Sequence, residues 1–332
     1  KPGDPEEDAL AVTDALPEIE DLCFLEVPKF FSLKGSVVTP AMMLELSRAV
    51  QRVLIRPEVS GVVVTQPADN IEETAYFVSI SLSDVFQNQN SKPIVFTTCM
   101  TPEDPMFDGT KNLLDSIRVA CHDVKGDIPT VVVCMNGEIH AASRAQLTHT
   151  NKASALASPG WGPVGYVDRD NVYFRCGALE LDTGLNFPML KKLTAKVPVV
   201  KAMCGDDGAL LEMVLEKEPD AIIVEGFGRG NLPAGMMPAI KKAVKKGIFV
   251  VISTRASSGR VLDSTVFPGS VAQCLESGCL LAGETTTAKA RLLLMYVLSQ
   301  KEAIQLKKED PERFFAYVQE CLDPVLTNRL FG

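Results

Sequence analysis

The chain has 332 residues, of which 46% are hydrophobic and 23% are charged, and its formal net charge is −9. This length and composition allow two domains with buried cores and exclude a disordered chain. The acidic balance argues against nucleic acid or an anionic membrane as the main partner, and no apolar run reaches the roughly 20 residues of a membrane span.

Nine cysteines are spread along the chain. Their number is odd, and no two of them have the C-x-x-C spacing that is typical of metal and redox sites. Cys99, Cys134 and Cys279 lie in or beside apolar runs, where a free thiol behaves as a small hydrophobic residue. The pattern favours reduced thiols, and therefore a cytoplasmic or anaerobic setting, over secretion. Because the sequence begins at Lys1 rather than at methionine, an upstream leader and an upstream first strand both stay open.

Short runs rich in valine and isoleucine alternate with amphipathic segments. The runs are almost continuously apolar, as in parallel strands that are covered on both faces. Strand–helix–strand units of this length form right-handed crossovers. The predicted strands are 61–65, 93–99, 130–135, 198–203, 220–225, 247–254 and 278–282, and the predicted helices are 40–54, 72–86, 112–120, 209–216, 234–245, 287–300 and 311–322.

The alternation stops between residues 167 and 197. Asp168-Arg169-Asp170-Asn171 indicates a polar turn, a short extended piece follows it, and the remainder has no clear period. An irregular stretch of this length is more typical of a connection between domains than of a domain interior. We therefore predict an α/β protein with an N-terminal domain at 1–166, a linker at 167–197 and a smaller C-terminal domain at 198–332.

Polar residues and glycines cluster directly after the predicted strands, which is where ligands gather in parallel sheets. The first strand runs into T-Q-P-A-D-N-I-E-E-T-A-Y-F at 65–77. The later motifs are T-T-C-M-T-P at 97–102, D-G-T-K-N-L at 108–113, M-N-G-E-I-H-A-A at 135–142, G-P-V-G-Y at 162–166, G-F-G-R-G-N-L at 226–232 and S-T-R-A-S-S-G at 253–259.

In this order the motifs resemble those of the bacterial-type L-asparaginase/glutaminase family. The family reads T-H-G-T-D-T-x-E-E-T-A-Y-F, G-A-M-R-P, D-G-x-x-N-L, M-N-x-x-I-H-A-A, G-P-L-G-Y, G-x-G-x-G-N-L and S-S-R-x-x-x-G. The resemblance implies a two-domain asparaginase-like α/β fold, with a parallel or mixed sheet in the larger N-terminal domain and a parallel sheet in the smaller C-terminal one. It also implies a homotetramer, or a homodimer, in which neighbouring subunits share active sites, and amide hydrolysis by a threonine nucleophile without cofactor or metal.

The same resemblance indicates a degenerate active site. The family's catalytic threonine falls on Ala68 and its lysine on Leu147, and neither side chain can attack a carbonyl or transfer a proton. The substrate-binding Ser-Gln pair falls near Gly35 and Ser36, and the T-G-G-T strand is not found in the chain. Because catalytic groups that act as a unit lose most of their rate when one is removed, we expect little ordinary asparaginase activity.

Several residues still indicate a pocket. Asp69 and Asn231 match the family residues that hold the α-amino end of the substrate, and Asp69 is alternatively a cap of the helix that follows it. Cys99 replaces the alanine of G-A-M, and it would be a substitute nucleophile if its pKa were lowered. Thr98 offers a hydroxyl beside it. The alternative interpretation of Cys99 is a small packing residue.

Two hypotheses of function follow from these departures. In the first, the pocket is remodelled and acts on another small amide, imide or amino-acid-like compound. In the second, the protein is a pseudoenzyme that serves as a binding or assembly subunit. An ordinary L-asparaginase/glutaminase is the remaining alternative.

Overall fold

The computed structural model describes residues 16–28, 30, 35–87, 92–100, 108–122, 130–175, 185–262 and 265–323. The chain divides into two compact units, Lys1–Met189 and Leu190–Gly332. Each unit has its own sheet and its own apolar core. The predicted two-domain α/β fold is thereby confirmed, and the division falls inside the stretch that was predicted as a linker.

The N-terminal unit is built on a mixed six-stranded sheet with the strand order β1-β2-β3-β4-β7-β8. The first three strands are parallel, and the remaining three join them in antiparallel fashion. The strands are β1 (Val62–Thr65), β2 (Ile94–Thr97), β3 (Val131–Met135), β4 (Glu138–Ala141), β7 (Gly165–Asp168) and β8 (Asn171–Phe174), and a separate small pair is formed by β5 (Gln146–Leu147) and β6 (Leu156–Ala157).

Two tight hairpins account for the antiparallel strands. Asn136 and Gly137 join β3 to β4 with φ angles of 52° and 76°, the left-handed conformation that a two-residue hairpin turn requires and that Asn-Gly adopts most easily. The predicted polar turn at 168–171 joins β7 to β8, where Asp168 pairs with Asn171. The beginning of the predicted linker therefore belongs to the sheet, because its alternating residues form an edge hairpin.

Helices cover both faces of this sheet. On one face Ile94 and Phe96 pack in a core cluster with Val50, Ile71 and Val78, and on the other face β2 and β3 pack against the last helix of the unit. The predicted helix 72–86 is interrupted at Leu82. The helices are α1 (Glu18–Leu22), α2 (Pro40–Leu54), α3 (Ile71–Ser81), α4 (Ser83–Gln87) and α5 (Gly109–Cys121).

The C-terminal unit has a wholly parallel four-stranded sheet with the order β12-β11-β10-β9. The helix Lys301–Glu309 lies in no predicted helix, because only Ala303 of its nine residues is buried and its apolar pattern is weak. The elements are β9 (Val199–Lys201), α6 (Ala209–Leu215), β10 (Ala221–Gly226), α7 (Met237–Lys245), β11 (Phe249–Thr254), α8 (Val271–Glu276), β12 (Leu280–Leu281), α9 (Thr287–Val297), α10 (Lys301–Glu309) and α11 (Pro311–Leu322).

Across the described residues, none of the helices combines the length and the apolar character that a membrane crossing would need.

Candidate functional site

Two strand ends and two short turns form the candidate site of the N-terminal unit. Strands β1 and β2 end side by side, with Thr65 opposite Thr97 as their last pair. The 3-10 turn Ala68–Asn70 follows β1 and leads into α3. A second 3-10 turn, Gly35–Val37, lies against it, because Asn70 Nδ2 donates a hydrogen bond of 2.9 Å to the carbonyl oxygen of Gly35.

Gly35 marks the closest approach of the two turns. A methyl group placed on Gly35 would lie 2.8 Å from Asp69 Oδ2, 2.9 Å from Asp69 Cβ and 3.1 Å from Pro67 Cβ. The approach therefore leaves no room for a side chain at residue 35. The serine that the family resemblance implies near this position would not fit without a shift, and the ring of Pro67 occupies part of the space. Ser36, the next residue, is exposed.

Asp69 is exposed, and none of the described residues donates a hydrogen bond to its carboxylate or forms an ion pair with it. Its polar neighbours are engaged with one another: Gln66 Nε2 donates to Asn70 Oδ1 at 3.2 Å and to Thr74 Oγ1 at 3.3 Å. The N-cap residue of α3 is Asn70, so Asp69 does not fill the capping role that was its alternative interpretation. Its carboxylate remains available for a positively charged group.

Ala68 and Leu147 stand where the family resemblance places the catalytic threonine and lysine. Ala68 is half-buried in its turn. Leu147 packs against the apolar core cluster that contains Ile71 and Leu156, and its backbone nitrogen donates a hydrogen bond of 2.6 Å to Glu72 Oε2. These two positions offer neither a nucleophile nor a base.

The hydroxyl groups of Thr97 and Thr98, at the end of β2, differ in their hydrogen bonds. Thr97 is buried, and its Oγ1 donates a hydrogen bond of 2.9 Å to the carbonyl oxygen of Cys134 in β3. Thr98 is also buried, and its Oγ1 has only a long contact of 3.4 Å with the carbonyl oxygen of Cys99. Thr98 thus has the less committed hydroxyl, but little of it is open to solvent.

Cys99 is half-buried at the end of β2. Burial raises the pKa of its thiol, and the negative charge of Asp108 raises that pKa further. A cysteine that acts as a nucleophile at neutral pH needs a lowered pKa, which is usually produced by a nearby cation or a helix N-terminus. The surroundings of Cys99 favour the protonated thiol.

Asn112 organises this edge of the sheet, a role that the sequence analysis did not assign. It is buried in α5, its Nδ2 donates 2.9 Å to the carbonyl oxygen of Thr98, and its Oδ1 accepts 2.8 Å from the backbone nitrogen of Asn136. Asp108, one helical turn earlier, accepts a hydrogen bond of 3.1 Å from the backbone nitrogen of Met100. The D-G-T-K-N-L motif was the available signal, because residues four apart on a helix point the same way.

Asn231 lies in the C-terminal unit, in the glycine-rich loop after β10. Its Oδ1 accepts a hydrogen bond of 3.0 Å from the backbone nitrogen of Val271, and its carbonyl oxygen accepts 2.9 Å from Phe227. A methyl group on Gly226 would lie 2.5 Å from the carbonyl oxygen of Gly230, whose φ is 101°. The glycines therefore make a tight turn, and Asn231 helps to hold it.

The histidines of the described chain have protein partners. His140 is buried with its Nδ1 2.9 Å from Ser158 Oγ, and burial lowers the pKa of its imidazole while Glu138 opposes that shift. His149 Nδ1 accepts a hydrogen bond of 3.2 Å from the backbone nitrogen of Asn151. In the part of the chain that the structure describes, no group of three or more His, Cys, Asp or Glu side chains is placed to hold a metal ion.

Two family models match the sequence: "Asparaginase, N-terminal" over residues 4–178 and "Glutaminase/Asparaginase C-terminal domain" over residues 196–309. An L-asparaginase of Bacillus licheniformis is 30% identical over 300 residues, which cover 88% of this chain and 89% of that protein. One of the subunits of a glutamyl-tRNA(Gln) amidotransferase of Pyrococcus horikoshii is 25% identical, over 88% of this chain and 66% of its own.

The fold has a close counterpart among solved structures. The crystal structure of a probable cytoplasmic L-asparaginase from Campylobacter jejuni superimposes with a TM-score of 0.78 at 26% sequence identity. The match covers 94% of this chain and 92% of the other.

Proposed function

The chain belongs to the bacterial-type L-asparaginase/glutaminase family, and from this premise we propose that its N-terminal unit contains a remodelled asparaginase site. The site acts on a small amide, imide or amino-acid-like compound by a route other than Thr-Lys-Asp hydrolysis. The observation that carries the proposal is the exposed carboxylate of Asp69, which no described residue pairs with and which lies in contact with Gly35.

The chemistry of the ligand follows from this carboxylate. An ammonium group is its natural complement, since charge-assisted hydrogen bonds are about twice as strong as neutral ones. Gly35, Ser36 and Ala68 are the proposed neighbours of such a ligand, and Asn231 is a further proposed contact that rests on the family resemblance alone. Ala68 has a methyl group at the position where the family resemblance implies the reactive hydroxyl of a threonine.

A catalytically inactive binding or assembly subunit is the second candidate. It is favoured by the raised pKa of Cys99 and by the buried, hydrogen-bonded hydroxyl of Thr97. Cys99 and Thr98 remain the candidate reactive groups of the first proposal. The relative named as part of an amidotransferase supports the idea that members of this family differ in what they do with an amide.

Assembly and location are proposed from the family. We expect a homotetramer, or a homodimer, with shared active sites, acting without a cofactor in the cytoplasm. The solved relative that is named as a probable cytoplasmic L-asparaginase supports the location. Light scattering after gel filtration measures the assembly, and a monomer at micromolar concentration would contradict it.

Binding tests the role of Asp69. Calorimetric titration with asparagine, glutamine, aspartate and succinimide is made on the native chain, on Asp69→Asn and on Asp168→Asn, which removes an exposed carboxylate of β7. We expect Asp69→Asn to weaken the amino-acid ligands about 10-fold or more, the loss of one charged hydrogen bond, with succinimide unaffected. Equal affinities in all three proteins would remove the proposal's basis.

Ammonia release separates the candidates. We expect no turnover of asparagine or glutamine comparable to that of an ordinary asparaginase, because Ala68 and Leu147 replace the reactive pair. Turnover at such a rate would show that the protein is an ordinary asparaginase and would contradict the proposal. Conversion of a succinimide-type compound that Cys99→Ala abolishes favours the remodelled enzyme, and binding without any conversion favours the inactive binding or assembly role.

A further inference from the structure

Two cysteines from distant parts of the sequence meet in the N-terminal unit. Cys23 directly follows α1, and its backbone nitrogen bonds to Ile19 at the last turn of that helix. Cys121 is the last residue of α5. Cys121 is exposed and Cys23 is half-buried, so solvent reaches the pair.

An apolar contact between the two helices brings the thiols together. Ile19 of α1 and Ile117 of α5 are buried in one cluster, and Cys23 packs against that cluster. Cys121 follows Ile117 by four residues in α5, so it lies one turn further along the same face of that helix, and Cys23 lies at the end of α1. The two thiols are neighbours, since Cys23 is close enough to Cys121 to raise the pKa of its thiol.

We propose that Cys23 and Cys121 are a modification site at which a small disulfide oxidant forms a reversible intramolecular disulfide. A disulfide needs an S–S distance of about 2.0 Å, so the two neighbouring thiols must approach each other for the bond to form. The bond would fix α1 on α5, the helix whose first turn carries the Asp108 and Asn112 contacts described above.

The reaction is thiol–disulfide exchange. One cysteine, as its thiolate, attacks a sulfur of oxidised glutathione, forms a mixed disulfide and releases one glutathione thiolate. The second cysteine gives its proton to water, attacks the protein sulfur of that mixed disulfide and releases the second glutathione thiolate. Two protein thiols are oxidised to one disulfide, and one small disulfide is reduced to two thiols.

The surroundings set the pH at which the exchange proceeds. Burial, and then the charge and hydrogen bond of Cys23, raise the pKa of the Cys121 thiol to about 11. Exchange requires thiolate, so the rate of disulfide formation should increase as the pH is raised from 7 to 9.

The chain supplies its own controls. Cys204 is an exposed thiol in the C-terminal unit. Cys274 and Cys279 are a second neighbouring pair, but they are 0% and 2% exposed, so a reagent does not reach them in the folded protein. The proposal predicts cross-linking at the exposed pair and none at the buried pair.

The test is mass spectrometry of the full chain after incubation with oxidised glutathione, alkylation of free thiols and digestion without reductant. We expect one linked peptide that joins Cys23 to Cys121 within a chain, reversible by dithiothreitol. Cys204→Ser should keep this peptide, whereas Cys121→Ser should lose it and carry glutathione on Cys23.

Other outcomes would overturn the proposal. These are glutathione attached separately to both cysteines of the native chain, both thiols remaining free, or a link between two chains on a non-reducing gel. Cys23→Ala should also lose the linked peptide, and circular dichroism verifies that this variant folds. If a variant does not fold, the result for the native chain is sufficient to decide.

Discussion

At the scale of single residues, the close packing at Gly35 explains why this position has no side chain. Gly35 has no side chain at the point where Asp69 and Pro67 approach it most closely. A side chain at residue 35 would therefore disturb the turn that carries Asp69.

Gly35→Ala tests this arrangement. The added methyl group would lie 2.8 Å from Asp69 Oδ2 and 2.9 Å from Asp69 Cβ, so the turn must shift. We expect the free energy of unfolding to fall by about 1–3 kcal/mol, the usual cost of overpacking. Urea denaturation measures it. Gly228→Ala is the matched control, because a methyl group there meets nothing within 4 Å, and an equal loss in both variants would contradict the packing argument.

The sequence indicates candidate site residues, but it does not show what surrounds them. Motif order identified Asp69 and Gly35, and the structure brings these two into contact. The sequence could not predict that no described residue pairs with the Asp69 carboxylate, because this depends on which groups lie within hydrogen-bond distance of it in the folded chain. The raised pKa of Cys99 likewise depends on burial and on Asp108, which a linear motif does not measure.

At the scale of elements, α5 holds the strand ends in place through one side chain. Asn112 connects the helix to the end of β2 through Thr98 and to the β3–β4 hairpin through Asn136. The apolar strands of the parallel core were predicted from composition, since burial on both faces makes them continuous. Strands β4, β7 and β8 were not, because they are short edge or hairpin strands with mixed polarity.

Asn112→Ala should loosen this edge. The change leaves the carbonyl oxygen of Thr98 and the backbone nitrogen of Asn136 without these hydrogen bonds. We expect a loss of about 1–3 kcal/mol in the free energy of unfolding, the cost of one unsatisfied buried group, because Thr98 is buried whereas Asn136 is exposed and can bond to water. Thr110→Ala, in the first turn of the same helix, should change stability by much less. Similar losses would show that Asn112 has no special role.

At the scale of the whole molecule, two units with separate sheets and cores share one chain. Composition and length predicted two domains. Their division at 189–190 was not predictable to the residue, because the β7–β8 hairpin continues the first sheet into sequence that lacks a regular apolar period.

Acid should destabilise the protein through His140. Burial lowers the pKa of this imidazole from its ordinary value of 6.5, so the unfolded chain binds a proton that the folded state resists. The contribution of His140 to stability is complete above about pH 6.5 and is lost as the pH falls below it, with a slope of at most about 1.4 kcal/mol per pH unit.

Urea denaturation between pH 5 and pH 8 measures this dependence. His140→Gln should flatten the curve in the range below pH 6.5, although it lowers stability at pH 8 by disturbing the contact with Ser158. His122→Gln, at an exposed histidine, should leave the curve unchanged in shape. An unaltered slope in His140→Gln would assign the acid sensitivity to other groups.

The close approach of Gly35 to Asp69 and Pro67 also limits the substitutions that this sequence accepts at residue 35. A serine there would meet Asp69 first and Pro67 next, so neither the turn nor residue 35 can keep its place unchanged. Residue 35 is therefore tied to residues 67 and 69, and a side chain is accommodated at residue 35 only when that turn changes with it.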